Sequence, residues 1–226
     1  FETAGMMFDV SRNAVLQPDT LRFFLRKMAM MGLTLGMMYT EDTYEVPGQP
    51  YFGYQRGRYS ADELRALDDY ADMLGIELCP CIQTLGHMAR ALRWPCMEDM
   101  RDTDYVLLLD EEKTYALIEE MIVSASRPFA TRRIHIGMDE AYGLGRGKYM
   151  DRHGYVPQSE LMQKHLARIG GILKKHGLHA MMWSDMYFHM AQPGSTAAYP
   201  AGCTLSEAIV AAAPKDIDLV YCCLLY

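Results

Sequence analysis

An α/β fold with a buried parallel sheet is what this 226-residue sequence predicts, and three observations predict it. Short apolar runs of strand length alternate six times with amphipathic stretches of helical length. The runs lack the in–out alternation of a half-exposed strand, as strands buried on both faces do. The longer connections all follow strands, whereas the returns from helix to strand are short. That asymmetry favours a (β/α)8 TIM barrel, whose loops at the C-terminal strand ends build the site. The alternative, a doubly wound sheet, would more often place a Gly-rich turn after its first strand, and Asp9-Val10-Ser11-Arg12-Asn13 has no glycine. A closed barrel takes eight strands and six are found. The expectation is therefore a single catalytic barrel domain over residues 1–226, truncated after about the sixth strand, with the deficit at the C-terminal end.

The elements follow in order. The first strand is expected at Met6 to Val10, and the helix after it at Asp19 to Met31, where Leu21, Phe24, Leu25, Met28 and Met31 recur at helical spacing. The second strand runs Leu33 to Tyr39. Ser60-Ala61-Asp62-Glu63 is a capping box, its Ser and Glu three apart, opening a helix that ends near Gly75. A third strand runs Ile76 to Gln83, and Asp110 is the expected cap of a helix through Ser124. Arg133 to Met138 is the fourth strand. Gln158 to His176 is a long helix closed by Lys174, Lys175 and Gly177. His179 to Trp183 and Ile217 to Leu224 are strands five and six, with a short helix at Thr204 to Ala213 between them. The connections Thr40 to Tyr59, Gly86 to Leu109, Asp139 to Val156 and Met186 to Cys203 are read as loops at the strand ends.

Composition narrows the function classes. Half the residues are hydrophobic and 23% are charged, so the chain has a packed core. Its net charge is −7 with no Lys/Arg run, which argues against nucleic acid. No apolar stretch is long enough to span a membrane, and residues 1–5 carry no signal-peptide pattern. The six cysteines show no CxxC spacing and are read as reduced core thiols. A cytoplasmic location is expected, or a secreted one if a leader was removed. The 19 methionines are read as gap-filling core residues.

Polar residues gather where the strands end: Ser11-Arg12-Asn13, Glu41-Asp42, Gly86-His87, Asp139-Glu140 and Trp183-Ser184-Asp185. A barrel places all of these around one mouth. Asp139-Glu140 is the strongest pair. Adjacent carboxylates in a partly buried place repel, so one pKa is expected to rise and give a general acid, while the other stays ionised. His135 lies on the same strand face as Gly137 and Asp139, which points to a barrel interior. Gly143-Leu144-Gly145-Arg146-Gly147-Lys148 lacks the first Gly and the final Ser/Thr of a phosphate loop, and is read as a flexible loop over the site. No metal is expected, because the acids lack histidines at ligand spacing. No cofactor is implied.

At these residues the sequence resembles glycoside hydrolase family 20, the β-N-acetylhexosaminidases. Phe8-Asp9-Val10-Ser11-Arg12-Asn13 resembles the family's first-strand segment, whose arginine grips sugar hydroxyls. Thr84-Leu85-Gly86-His87 resembles its Pro-Gly-His segment, with Leu85 in place of proline. His135-Ile136-Gly137-Met138-Asp139-Glu140 resembles the His-x-Gly-Gly-Asp-Glu signature, with Met138 in place of the second glycine. Trp183 falls where the family has an aromatic wall around the acetamido group, and Glu41-Asp42 where it has paired aspartates. These departures suggest a divergent bacterial branch.

The resemblance implies removal of terminal N-acetylhexosamine, GlcNAc or GalNAc, from a β-linked oligosaccharide or glycoconjugate. It implies a retaining mechanism in which the substrate's own acetamido group is the nucleophile. Glu140 would be the acid and Asp139 the partner of the acetamido N–H. Arg12, Glu41, Asp42, His87, Trp183 and Asp185 would line the sugar site, with Asp42 or Glu41 near His87. Two alternatives stay open: a retaining glycosidase for a non-acetylated sugar, and a non-catalytic carbohydrate-binding remnant of the same fold.

Overall fold

The computed structural model describes residues 3–12, 14–192, 194–195 and 199–221. Six strands alternate with eight α-helices among these residues. In chain order they are β1 (Gly5–Asp9), α1 (Pro18–Met30), β2 (Leu35–Tyr39), α2 (Ala61–Met73), β3 (Glu77–Cys81), α3 (Ala89–Leu92), α4 (Glu112–Ser126), β4 (Arg133–His135), α5 (Lys148–His153), α6 (Gln158–Lys175), β5 (His179–Trp183), α7 (Asp185–Ala191), α8 (Glu207–Ala212) and β6 (Ile217–Val220). A short 3-10 helix, Pro95–Met100, follows α3. The chain forms two compact units: Phe1–Ile82 with Ile118–His135, and Gln83–Leu117 with Ile136–Tyr226.

In the first unit β1, β2, β3 and β4 lie side by side in chain order, all parallel. Asp9 pairs with Tyr39, Tyr39 with Cys81, and Cys81 with His135, so the four strands end in line. Helix α1 starts on a proline, which has no N–H to leave unpaired, and buries Leu21, Leu25 and Met28 at i, i+4 and i+7. Helix α2 begins with both halves of the expected capping box: Glu63 N–H donates to Ser60 Oγ at 3.2 Å, and Ser60 N–H to Glu63 Oε2 at 2.8 Å. Beside the sheet, Asp68 of α2 accepts the Ala130 N–H at 2.7 Å, and Arg133 Nε donates to Glu77 at 2.8 Å, tying β4 to β3. Cys79 and Cys81 are buried in β3, where burial pushes the Cys79 thiol up to about 12.

In the second unit the chain beyond β4 continues beside β5: Ile136 N–H donates to Met181 O, and Trp183 N–H to Gly137 O. Strand β5 pairs in parallel with β6, Trp183 opposite Val220. Helix α6 buries Leu161, Leu166, Ile169 and Leu173 along one stripe and closes at Gly177, whose φ of 61° only glycine adopts freely. Among the described residues no helix is long and apolar enough to cross a membrane.

Several expected boundaries move. The fourth strand stops at His135 rather than Met138, because Gly137 and Met138 take φ of 73° and 79° and leave the extended region. Asp110 does not cap α4. Its own φ is 62°, its carboxylate accepts the Tyr149 hydroxyl at 2.8 Å, and the first helical N–H groups turn back to Glu111 O. The segment after β5, expected as a loop, opens with α7. Cys222 to Leu224 of the sixth expected strand, and Asn13, lie outside the described residues.

Candidate active site

The second unit brings His87, Asp139, Glu140 and Asp185 together. Asp139 and Glu140 stand on a tight turn directly after the segment that runs beside β5. Three non-glycine residues here, His87, Met138 and Glu140, have φ between 49° and 79°. Such backbone is costly and persists where surrounding contacts over-determine it, as they do at functional sites. Gly86 permits the packing: a Cβ on it would lie 2.7 Å from the Asp139 carbonyl oxygen. Asp139 accepts a hydrogen bond from Gln83 Nε2 at 2.8 Å through one oxygen, and His87 Nε2 lies 3.1 Å from the other. The same His87 nitrogen is 3.4 Å from Glu140 Oε2. The Glu140 N–H donates to Asp185 Oδ2 at 2.9 Å. The Trp183 N–H, bound to Gly137 O, places the tryptophan beside this turn.

Burial and charge sort these groups. Burial lowers the proton affinity of His87, but hydrogen bonds and charge from Asp139 and Glu140 outweigh it and hold the imidazolium up to about 10. Burial alone would raise Asp139; His87 and Gln83 reverse that and keep it below the usual carboxylate range. Asp139 is thus a part-buried anion, its side chain 19% exposed, while the Glu140 side chain beside it is 47% exposed. A raised carboxyl was expected within the adjacent pair. Asp139 instead moves down, and the raised carboxyl is Asp185, pushed up to about 7, first by burial and further by Asp139 and Glu140. Asp185, expected to touch substrate, is 2% exposed and bound to the Glu140 backbone.

A second layer supports this turn. Thr84 Oγ1 donates to Ile136 O at 2.8 Å, and the Thr84 carbonyl faces His165 Nε2 at 3.1 Å. A carbonyl only accepts, so Nε2 carries the proton and Nδ1 accepts from the Tyr115 hydroxyl 3.2 Å away. Burial pushes this histidine down to about 4, so it is a neutral hydrogen-bond bridge. The glycine-rich segment 143–147 is pinned rather than loose. The buried Asp102 accepts the N–H groups of Gly145 and Tyr149, each at 2.8 Å, and the Tyr105 hydroxyl accepts that of Gly143 at 3.0 Å. Tyr142, two residues beyond Glu140, stacks on His189 with ring centres 4.5 Å apart. His135 is fully buried.

The first unit holds the other expected residues. Arg12, 54% exposed, meets Asp9 at 2.9 Å and Glu41 at 3.9 Å, with its guanidinium 5.3 Å from the Tyr39 ring centre. Burial works against its charge, but Tyr39, Asp9 and Glu41 raise its pKa further above the ordinary arginine value. Asp42 is buried against Arg56 at 3.1 Å, and Arg56 also donates to Ser11 O. The carboxylate expected to reach a sugar is thus committed to an arginine the sequence did not single out. Gln83, Asp102 and His165 were also missed. Gln83 carried a usable signal, since it is the polar residue closing an otherwise apolar run.

The six described strands, in β/α alternation and with acids just beyond β2 and β4, are of the barrel type. Residues 1–223 match the glycosyl hydrolase family 20 catalytic domain, and the chain belongs to that family. It is 28% identical over 156 residues to human Hexosaminidase D, covering 65% of this chain and 32% of the relative. The bovine Hexosaminidase D is 32% identical over 109 residues, covering 44% and 31%. The chain thus spans about a third of the length of these relatives. Among solved structures, the exo-β-N-acetylglucosaminidase of Vibrio harveyi in complex with N-acetylglucosamine superposes with a TM-score of 0.76 at 18% identity, over 98% of this chain and 38% of that one. The chitobiase of Flavobacterium johnsoniae gives 0.68 at 23% identity, over 80% and 31%. These likenesses establish the fold as that of the family's (β/α)8 barrel, of which six strands lie among the described residues.

Proposed function

We propose that the protein is a β-N-acetylhexosaminidase that removes terminal N-acetylhexosamine from β-linked glycans with help from the substrate's acetamido group. The observation that carries this reading is the division of labour in Asp139-Glu140. One carboxylate is part-buried and held anionic by His87 and Gln83; its neighbour is half-exposed and open to a ligand. Glu140 gives its proton to the glycosidic oxygen as the C1–O bond breaks. The acetamido carbonyl oxygen bonds to C1, forming an oxazolinium. Asp139 accepts a hydrogen bond from the acetamido N–H and balances the positive charge. Glu140, now a carboxylate, takes a proton from the water that attacks C1, and the oxazolinium reopens. Holding the nucleophile within the substrate replaces a protein nucleophile, because an intramolecular group acts at high effective concentration. Trp183 walls the acetamido pocket.

The test is release of a chromophore from an aryl N-acetyl-β-glucosaminide or galactosaminide, with the matching aryl β-glucoside as control. Turnover of the acetylated substrates alone, with tight binding of a thiazoline mimic that Asp139→Asn loses, is the expected result. Equal turnover of the non-acetylated glycoside, or thiazoline binding unaffected by Asp139→Asn, overturns substrate assistance.

A further inference from the structure

Asp185 combines three features that the reaction above does not use. It is buried to 2% exposure on the first turn of α7. Its Oδ2 accepts the Glu140 N–H, while its Oδ1 is buried with no hydrogen-bond partner among the described residues. And the residue it holds has a φ of 49°. The carbonyl of Glu140 is fixed as well, accepting the Tyr142 N–H at 2.8 Å. Both backbone polar groups of Glu140 are therefore pinned in a conformation that is strained for a non-glycine residue.

We propose that Asp185 is a positioning residue that acts through Glu140: Oδ2 locks the left-handed backbone that aims the Glu140 carboxyl, and Oδ1 carries a proton that keeps a third negative charge out of the site. This rests on the proposed reading of Glu140 as the acid. The groups facing Asp185 are Asp139, Glu140 and Tyr142 from the turn after β4, and the Met186 N–H from its own helix. None of the facing side chains is a cation. The His87 imidazolium is engaged with Asp139 and Glu140. An ionised Asp185, buried beside two other carboxylates with no cation against it among the described residues, is the costly state; a protonated one removes the charge. The rise of this carboxyl to about 7, through burial and those two acids, agrees.

Asp185→Asn keeps the shape and the acceptor for Glu140 N–H and mimics the protonated acid. Asp185→Ala removes the anchor. On a chromogenic N-acetyl-β-glucosaminide, Asp185→Asn is expected to retain most of the parent's kcat at pH 5–6 and to lose an ionisation near pH 7 from the parent's profile. Asp185→Ala is expected to lose roughly 10²-fold in kcat with KM little changed, as a misplaced acid does. Carbon NMR of aspartate carboxyls gives a readout that needs no turnover: the parent should show one aspartate titrating near pH 7, absent in Asp185→Asn. Absence of that resonance in the folded parent, or equal damage from Asn and Ala with an unchanged pH profile, overturns the proposal. A parent that shows the resonance but hydrolyses no N-acetylhexosaminide overturns the glycosidase reading and leaves the protonated Asp185 standing. If Asp185→Ala does not fold, the Asn profile and the NMR titration decide.

Discussion

The strand ends of the two units handle charge in opposite ways. In the first, acids meet arginines: Asp9 and Glu41 lie by Arg12, and Asp42 by Arg56. In the second, Asp139 and Glu140 share one histidine, His87, and a third carboxylate, Asp185, binds the Glu140 backbone. The backbone differs in the same direction. The turn after β4 carries Met138 and Glu140 at positive φ, and His87 joins them from the loop after β3, whereas Asp9, Arg12, Glu41 and Asp42 have no such strain. Balanced pairs hold a structure and position a side chain. An acid-rich, strained cluster is poor for stability and persists because the surroundings enforce it, the mark of a site selected for chemistry.

The largest expected effect breaks the acid-rich cluster at its exposed member. Glu140→Gln removes the proton donor and leaves the shape. General-acid help is worth about 10²–10⁴-fold, so turnover of a natural glycoside, whose leaving group needs the proton, should fall in that range. An activated aryl glycoside should lose much less. Rates on a series of leaving groups check this, and equal losses on all of them would remove the acid assignment.

The next effect is on stability and its dependence on pH. His87 is held up to about 10 against an ordinary value of 6.5. A raised folded-state pKa contributes stability that is fully present below 6.5 and is lost as the pH rises toward 10. Asp139, held low, contributes stability present above its ordinary value and lost as the pH falls through the folded one. His87→Gln keeps a donor but removes the charge. The parent's advantage over it in urea should be greatest between about pH 4 and 6.5, shrinking on either side. An advantage that grows from pH 7 to 9 would show that His87 is neutral in the folded protein.

How much of this was legible beforehand differs along the chain. Each described strand and each long helix was visible, because apolar runs and capping signals are local: the Ser60–Glu63 box formed as written, and β5 kept its bounds. The end of β4 was not, since nothing in Ile136-Gly137-Met138 announces that Met138 will take a glycine-like φ. Asp139, Glu140 and His87 stand out in the sequence because polar residues closing apolar strands are exceptions to the local pattern. The packing partners of Asp42 and Asp185 were not legible, for the opposite reason. Their partners, Arg56 and the Glu140 N–H, are fixed by tertiary packing 14 and 45 residues away in sequence. Asp102 escaped for the same reason, its partners lying in segment 145–149.

The smallest effect tests the strain itself, at Met138. This residue is fully buried, and its sulfur lies 3.3 Å from the Thr84 hydroxyl oxygen. Truncating a buried methionine costs about 2–5 kcal/mol, so both Met138→Ala and Met138→Gly should destabilise the protein. Their order is the informative quantity. At an ordinary position glycine is worse than alanine by roughly 0.5–1 kcal/mol, because it gives up more chain entropy on folding. At a φ of 79° alanine keeps the Cβ clash and glycine does not. Relief of a left-handed residue is worth on the order of 1–3 kcal/mol, which exceeds the entropy cost. Met138→Gly should therefore be more stable than Met138→Ala by about 1 kcal/mol, the reverse of the usual order. The comparison cancels the lost packing, since both variants lose the same thioether. Urea unfolding of the two variants measures it directly. Alanine proving the more stable would mean that the turn carrying Asp139 and Glu140 holds no strain at Met138, and the contrast between the two strand-end regions would then rest on charge alone.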